Sequence, residues 1–338
     1  MSSMKVPNRV RLTFFLLGFA GAALFTGLLI REGAARVMAS FVTPEWVILG
    51  IASYHSIPIF LDAVAWWVLF PKPERPPLLR LCWMRWIGES VSTLVPSAAV
   101  GGDIVRARLA AIHGASVATS AGTVIVDLTL GIFVQAGFTL AGLALLVRAT
   151  GKTEFVVPTL WGLVIAVAAF VGFFLAQRRG MFGFIIRILS RFVQSKEWQG
   201  LVQGGETLDH TVRSLYARRA GLLGCAASTI LSLTVASGEV WIALLAMDLN
   251  PSFLHAFILQ SMAYTIRSAA FAVPAGIGVQ EGGYVFVGSL LGIPGDAAFA
   301  LSLIARMREL GIGIPGLILW QLVEGGRLLR TRTEPSAR

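Results

Sequence analysis

Six stretches of this chain are long and apolar enough to cross about 30 Å of hydrocarbon: residues 12–30, 46–70, 118–147, 155–176, 221–247 and 297–323. No water reaches a peptide group at that depth, so each stretch is read as a helix that satisfies its own backbone. Composition supports this reading: the 338 residues are 56% hydrophobic and 14% charged, against roughly 25% charged in a soluble domain. The expected fold is all-α, a polytopic helical membrane bundle forming one integral domain over 1–326. A basic, disordered tail is expected over 327–338. The first run, 19 residues from Leu12 to Ile30, is too long for the apolar core of a signal peptide and is read as a retained span.

Two further apolar segments, about 78–114 and 253–293, break in the same way 178 residues apart. One reads LVPSAAVGGDIVRARLAAIHG from Leu94 to Gly114, the other AVPAGIGVQEGGYVFVGSLLG from Ala272 to Gly292. Each has Val-Pro, a Gly-rich stretch, and an acid seven residues after the proline, Asp103 after Pro96 and Glu281 after Pro274. A matched pair of Gly/Pro-interrupted hydrophobic segments points to the substrate site of a transporter. Each is expected to be a re-entrant hairpin of two half-helices. Three full spans lie between the hairpins, which places them on opposite faces and makes the repeat inverted. The first repeat covers about 44–176 and the second about 221–326.

Charge orients this topology. With the N-terminus inside, cytoplasmic segments collect three Lys/Arg before the first span, four in 71–85, eight in 177–219 and four in the tail. Those 19 face only Arg31, Arg36, Arg148 and Lys152 outside, a strong positive-inside bias with both termini cytoplasmic. The net charge of +10 is thus read as topology and attraction to anionic lipid, with no nucleic-acid partner. The loop 177–219 contains Phe184, Ile185, Ile188, Leu189 and Phe192 at helical spacing. They predict an amphipathic helix, either on the inner membrane surface or packed under the bundle. Cys82, Cys225 and four scattered histidines show no ligand spacing, so neither a metal site nor a cofactor is expected.

Asp62, Glu89, Asp103, Arg106, Arg108, Asp127, Glu239, Arg267, Glu281, Arg306, Arg308 and Glu309 fall in or beside membrane segments. A charge at the bilayer centre costs roughly 2.5–3.5 kcal/mol on insertion scales, so these groups are expected to pair or to face a wet cavity. Asp103 and Glu281 each stand where a second half-helix begins; capping it and acting on substrate or protons are both open to them. Arg106 and Arg267 suit a phosphate or an internal ion pair, such as Arg267 with Glu89. Asp62 and Glu239, offset by 177, extend the repeat. Arg306, Arg308 and Glu309 suggest an ion-pair lock against Asp127 or Glu281. Gly101, Gly102, Gly276 and Gly278 allow sharp turns at membrane depth, where half-helix N-termini form an anion site. Trp66, Trp67, Trp83 and Trp86 are expected to line a lipid path or anchor at an interface.

Pro96, Gly101, Gly102, Asp103 and Arg106, as P-x4-GGD-x2-R, and Pro274, Gly276, Ile277, Gly278 and Glu281, as P-x-GIG-x2-E, resemble the signatures of the flippase-like transmembrane family. That family is typified by the membrane half of lysylphosphatidylglycerol synthase. Three stretches resemble its hopanoid-biosynthesis-associated branch: RWIGES (Arg85–Ser90), RSAAFAVPAGIGVQEGG (Arg267–Gly283) and ARMRELGIGIPGLILWQ (Ala305–Gln321). The resemblance implies an inverted-repeat core and lipid handling in a bacterial inner membrane. Membrane lipids are the implied partners, with hopanoid-biosynthesis proteins as further ones. The synthase's soluble aminoacyl-transfer domain has no counterpart here, so no enzymatic activity is expected. The leading expectation is a flippase-like lipid transporter. The rivals are a non-transporting scaffold for hopanoid enzymes and a membrane-embedded lipid-modifying enzyme.

Overall fold

The computed structural model describes residues 26, 27, 30, 45–95, 101–154, 156–184, 197–269, 273 and 276–333. Most of the expected span 12–30, the break prolines Pro96 and Pro274, and most of the expected amphipathic stretch at 184–192 lie outside these. Within the described residues the chain forms eleven α-helices and no strand. They are α1 (Glu45–Tyr54), α2 (Ser56–Leu69), α3 (Leu78–Leu94), α4 (Gly101–Ile112), α5 (Val117–Thr150), α6 (Val156–Arg178), α7 (Glu197–Ala217), α8 (Arg219–Ala246), α9 (Phe253–Ala269), α10 (Val279–Leu290) and α11 (Gly295–Thr333).

Among the described residues, four stretches are long and apolar enough to cross a membrane: Val47–Leu69, Val117–Thr150, Val156–Arg178 and Arg219–Ala246. The expected span at 297–323 is helical but carries Arg306, Arg308 and Glu309 mid-helix, and it is not among the four. Helix α11 also runs on to Thr333, so 327–333 is helix where a disordered tail was expected. The expected single span 46–70 is two helices meeting at His55. Pro58 has no N–H to give to the Tyr54 carbonyl, and the helix is interrupted there.

The repeat is visible in the helix boundaries. Helices α4 and α10 are both 12 residues long and start at Gly101 and Val279, 178 apart. Helices α5 and α11 start at Val117 and Gly295, again 178 apart. Contacts between the halves follow the same two-fold pattern. Helix α3 packs on α11, its counterpart α9 packs on α5, and α2 packs on α8. The α2–α8 seam is tied by hydroxyls: Ser228 Oγ donates to the Leu61 carbonyl (2.6 Å) and Ser232 Oγ to that of Pro58 (3.2 Å).

Close approach at the crossings depends on small residues, as expected where lipid supplies no hydrophobic drive between helices. A Cβ at Gly142 of α5 would collide with Ser261 of α9, and one at Gly316 of α11 with Ser90 of α3. One core cluster joins Val47 and Ile51 of the first repeat to Val240, Leu244, Leu259 and Leu301 of the second. Another joins Trp66, Leu81, Met84 and Ile87 to Leu317 and Trp320. Helix α6 touches these cores only at its first residue, Val156. Val157, Leu160, Trp161, Val164 and Ile165 are exposed on it, a surface suited to lipid tails.

The segment after α6 packs inward. Asp209 of α7 accepts N–H bonds from Phe182 (3.1 Å) and Gly183 (2.7 Å). Val212 and Leu215 sit in a cluster with Val126 and Cys225. Helix α7 is therefore a packed scaffold element, while the stretch expected to be amphipathic lies mostly outside the described residues.

Candidate functional site

Two ion-pair networks form, one at each broken segment. At the first break, Asp103 stands in the first turn of α4 and Arg106 one turn later. Arg106 Nε donates to Asp103 Oδ1 (2.8 Å), and its Nη1 donates to Asp127 Oδ2 on α5 (2.6 Å). Arg85 of α3 donates to the same Asp127 oxygen (3.2 Å) and to Asp62 Oδ2 on α2 (3.0 Å). The Arg106 side chain is 1% exposed, and its guanidinium lies 5.1 Å from the centre of the Trp66 ring. Its Nη2 has no hydrogen-bond partner among the described residues.

At the second break, Gly278 has φ 78° and opens α10. Its N–H donates to Glu281 Oε2 (2.7 Å), so the Glu281 carboxylate caps this half-helix. Arg306 of α11 then donates from Nε to Glu281 Oε1 (2.8 Å). Glu309 accepts from Arg267 of α9 and lies 3.9 Å from Arg306 and 3.8 Å from Arg308. Arg308 donates to Glu239 Oε2 of α8 (2.7 Å). His55 completes the set, with Nδ1 2.7 Å from Glu239 Oε1 and Nε2 2.7 Å from Glu89 Oε1.

The two networks share a design. In each, an acid in the first turn of the second half-helix is bridged through an arginine to an acid on the following long helix. The chain is Asp103–Arg106–Asp127 in the first repeat and Glu281–Arg306–Glu309 in the second. The arginine comes from the half-helix in one case and from the long helix in the other. Helix α3 serves both networks, because Arg85 and Glu89 stand one turn apart on it. Pairing of this kind offsets the cost that a lone charge would carry in an apolar segment.

Several expected roles change in this geometry. Glu89 pairs with His55, and Arg267 pairs with Glu309, so the expected Glu89–Arg267 bridge does not form. Of the two locks expected for Arg306, Arg308 and Glu309, the one on Glu281 forms; Asp127 is held by Arg85 and Arg106 instead. Gly101 and Gly102 are already inside α4. A Cβ at Gly102 would strike the Gly88 carbonyl oxygen, so this glycine permits the α3–α4 crossing. Gly276 (φ 59°) and Gly278 do occupy left-handed turn conformations. Trp66, expected at a lipid path or interface, is fully buried and donates to Thr123 Oγ1 (3.1 Å). Of the two roles open to Arg106, phosphate contact and an internal ion pair, the second is seen: it is clamped between two acids. Of the arginines in the two networks the more accessible are Arg267 at 29% and Arg85 at 25%.

Sequence reasoning missed Arg85 and His55. Arg85 had been counted with the cytoplasmic loop; without it 18 cytoplasmic basic residues still face 4. Its one-turn spacing from Glu89 was the available signal. For His55 the nearby Pro58 break was the only local hint. Among the described residues no group of three His, Cys, Asp or Glu side chains is arranged to hold a metal ion. The site offers partly exposed ion pairs and, at α10, a half-helix terminus capped by a carboxylate.

Residues 12–316 match a family model described as the lysylphosphatidylglycerol synthase TM region. No curated protein matches the chain.

Proposed function

The chain belongs to the lysylphosphatidylglycerol synthase transmembrane family, and from that premise we propose that this multi-pass membrane protein moves a polar-headgroup lipid between the leaflets of a bacterial inner membrane. The observation that carries the reading is the matched pair of acid–arginine–acid bridges at the two broken segments. A lipid phosphate is an oxyanion like the carboxylates those arginines now hold, and a planar guanidinium binds either with two N–H donors. Arg267 and Arg85, the accessible members, take the headgroup first. The displaced acids are left to re-pair, which makes the exchange reversible. Fatty tails remain in the bilayer along apolar surfaces such as that of α6.

Transport of this kind makes and breaks no covalent bond, so the chain is read as a carrier and not as an enzyme. The basic-residue bias supports a cytoplasmic location for both termini. The substrate is a phospholipid or a hopanoid: the arginines suit a lipid phosphate, which a hopanoid need not carry, while the sequence resemblance points to the hopanoid. The three stretches that resemble the hopanoid branch contain Arg85, Glu89, Arg267, Glu281, Arg306, Arg308 and Glu309, seven of the network residues. The test compares the lipid content of the two leaflets in cells with and without the gene product. Loss of one lipid from one leaflet, with its total unchanged, supports transport. An altered lipid structure points to an enzyme. Unchanged leaflets, with the protein recovered in complex with hopanoid enzymes, point to a scaffold.

A further inference from the structure

His55 lies where the apolar span 46–70 breaks, and its side chain is 10% exposed. Three charged side chains from three other helices converge on its ring. Glu89 of α3 meets Nε2 at 2.7 Å, while Glu239 Oε1 of α8 and Arg308 Nη1 of α11 both meet Nδ1 at 2.7 Å. An imidazole nitrogen either carries a proton and donates or bears a lone pair and accepts. Arg308 can only donate and an ionised Glu239 can only accept, so the two contacts at Nδ1 belong to different protonation states. With a neutral ring, Nε2–H donates to Glu89 and Nδ1 accepts from Arg308. With an imidazolium, Nε2–H still donates to Glu89, Nδ1–H donates to Glu239 Oε1, and Arg308 keeps its bond to Glu239 Oε2 (2.7 Å).

Charge balance distinguishes the two states. The second network holds four acids (Glu89, Glu239, Glu281, Glu309) and three arginines (Arg267, Arg306, Arg308). It therefore carries one net negative charge with a neutral His55 and none with an imidazolium. A small cleft lined by His55, Glu89, Ser90, Thr93, Arg308 and Glu309 has room for about one water molecule. Glu89, which lines that cleft, has a side chain 33% exposed. Arg308 leads onward through Glu309 and Arg306 to Glu281, the cap of α10.

We propose that His55 is a proton-binding site that couples proton movement to lipid translocation. A hydronium reaching the cleft gives its proton to Nδ1 and leaves a water molecule. The imidazolium neutralises the network and holds Glu239, which favours the paired state. Loss of that proton returns Nδ1 to Arg308 and leaves one uncompensated carboxylate, which loosens the pairing at the second break. The coupling rests on the transport reading above, whereas the proton site itself does not.

The experiment uses the full chain in lipid vesicles with two readouts. In the first, nitrogen-15 spectra of the histidines are followed from about pH 5 to about pH 10. His55→Gln assigns the His55 signal among the chain's four histidines. The expected result is interconversion between an Nε2–H neutral ring and an imidazolium, with the midpoint moved to lower pH by Glu239→Gln. A ring fixed in one protonation state across that range, or a midpoint indifferent to Glu239→Gln, overturns the proton site. In the second, fluorescent-lipid exchange between leaflets is timed across the same range. Wild type is expected to change rate several-fold through the His55 titration, and His55→Gln to show a flat profile. Lipid exchange by wild type at a pH-independent rate overturns the coupling and leaves transport standing. No lipid exchange at any pH overturns transport and coupling together, and the spectra then decide the proton site alone.

Discussion

Arg106 Nη1 and Asp127 Oδ2 lie 2.6 Å apart, with side chains 1% and 9% exposed, and tie the second half of the first broken segment to the long helix that follows. Removing one partner of such a buried pair leaves an uncompensated charge. That costs about 3–5 kcal/mol, more than the intact pair itself contributes. Asp127→Asn takes one acid from both Arg106 and Arg85, which keep Asp103 and Asp62, so it is expected to cost less than that, about 1–3 kcal/mol, measured by denaturant unfolding in mixed micelles. Asp103→Asn is expected to cost less, since Asp103 is 20% exposed and Arg106 keeps Asp127. Equal losses for the two variants would show that Asp127 is not the pivot of the network.

Gly102 provides a steric test of the α3–α4 crossing. The Cβ added by Gly102→Ala would collide with the Gly88 carbonyl oxygen and Ser92 Oγ. Overpacking of this kind typically costs about 1–3 kcal/mol. Gly131→Ala in α5 meets nothing within 4 Å and is expected to change stability by about 0.5 kcal/mol or less. Unfolding midpoints of the two purified variants check the contrast.

At the second break, Glu281 both caps α10 and holds Arg306. Glu281→Gln keeps an oxygen for the Gly278 N–H but loses the charge, whereas Glu281→Ala loses both. Loss of the cap alone is worth about 0.5–2 kcal/mol. Glu281→Ala is therefore expected to be less stable than Glu281→Gln by about that margin. Hydrogen exchange at the start of α10 should rise in the alanine variant and stay near wild type in the glutamine variant.

Outside the spanning helices, the Ser116 N–H donates to Glu74 Oε2 (2.7 Å). That bond holds the Glu74 carboxyl below its ordinary value of 4.5. A lowered acid contributes stability that is fully present above its unfolded value and is lost as pH falls through its folded value. Glu74 is largely solvated, so the contribution is under about 1 kcal/mol. Glu74→Gln is expected to leave stability at pH 7 nearly unchanged relative to wild type and to flatten the acid limb below about pH 4.5. Melting curves between pH 3 and 7 measure it.

The repeat was legible in the sequence because it is carried by backbone-forming residues. The offset of 178 between the two Val-Pro breaks is the same offset that separates the starts of α4 and α10 and of α5 and α11. The presence of charge at membrane depth was legible too, since each such residue interrupts an apolar run. Partner choice was not. Glu239 meets His55 across 184 residues, and Arg308 meets His55 across 253; no local pattern encodes such pairs. Arg85 sat at the edge of a basic segment and was indistinguishable there from a loop charge. Gly102 was read as a turn residue because its role, contact with the Gly88 carbonyl, exists only once α3 and α4 cross.

The central claim is lipid movement between leaflets, and it is tested most directly by timing the exchange of a fluorescent phospholipid in vesicles containing the purified chain. The account predicts exchange well above that of protein-free vesicles, reduced at least about tenfold in Arg267→Gln, whose arginine is the most accessible in the networks. Wild-type exchange equal to that of protein-free vesicles, across several lipid compositions and with an imposed pH gradient, would contradict it.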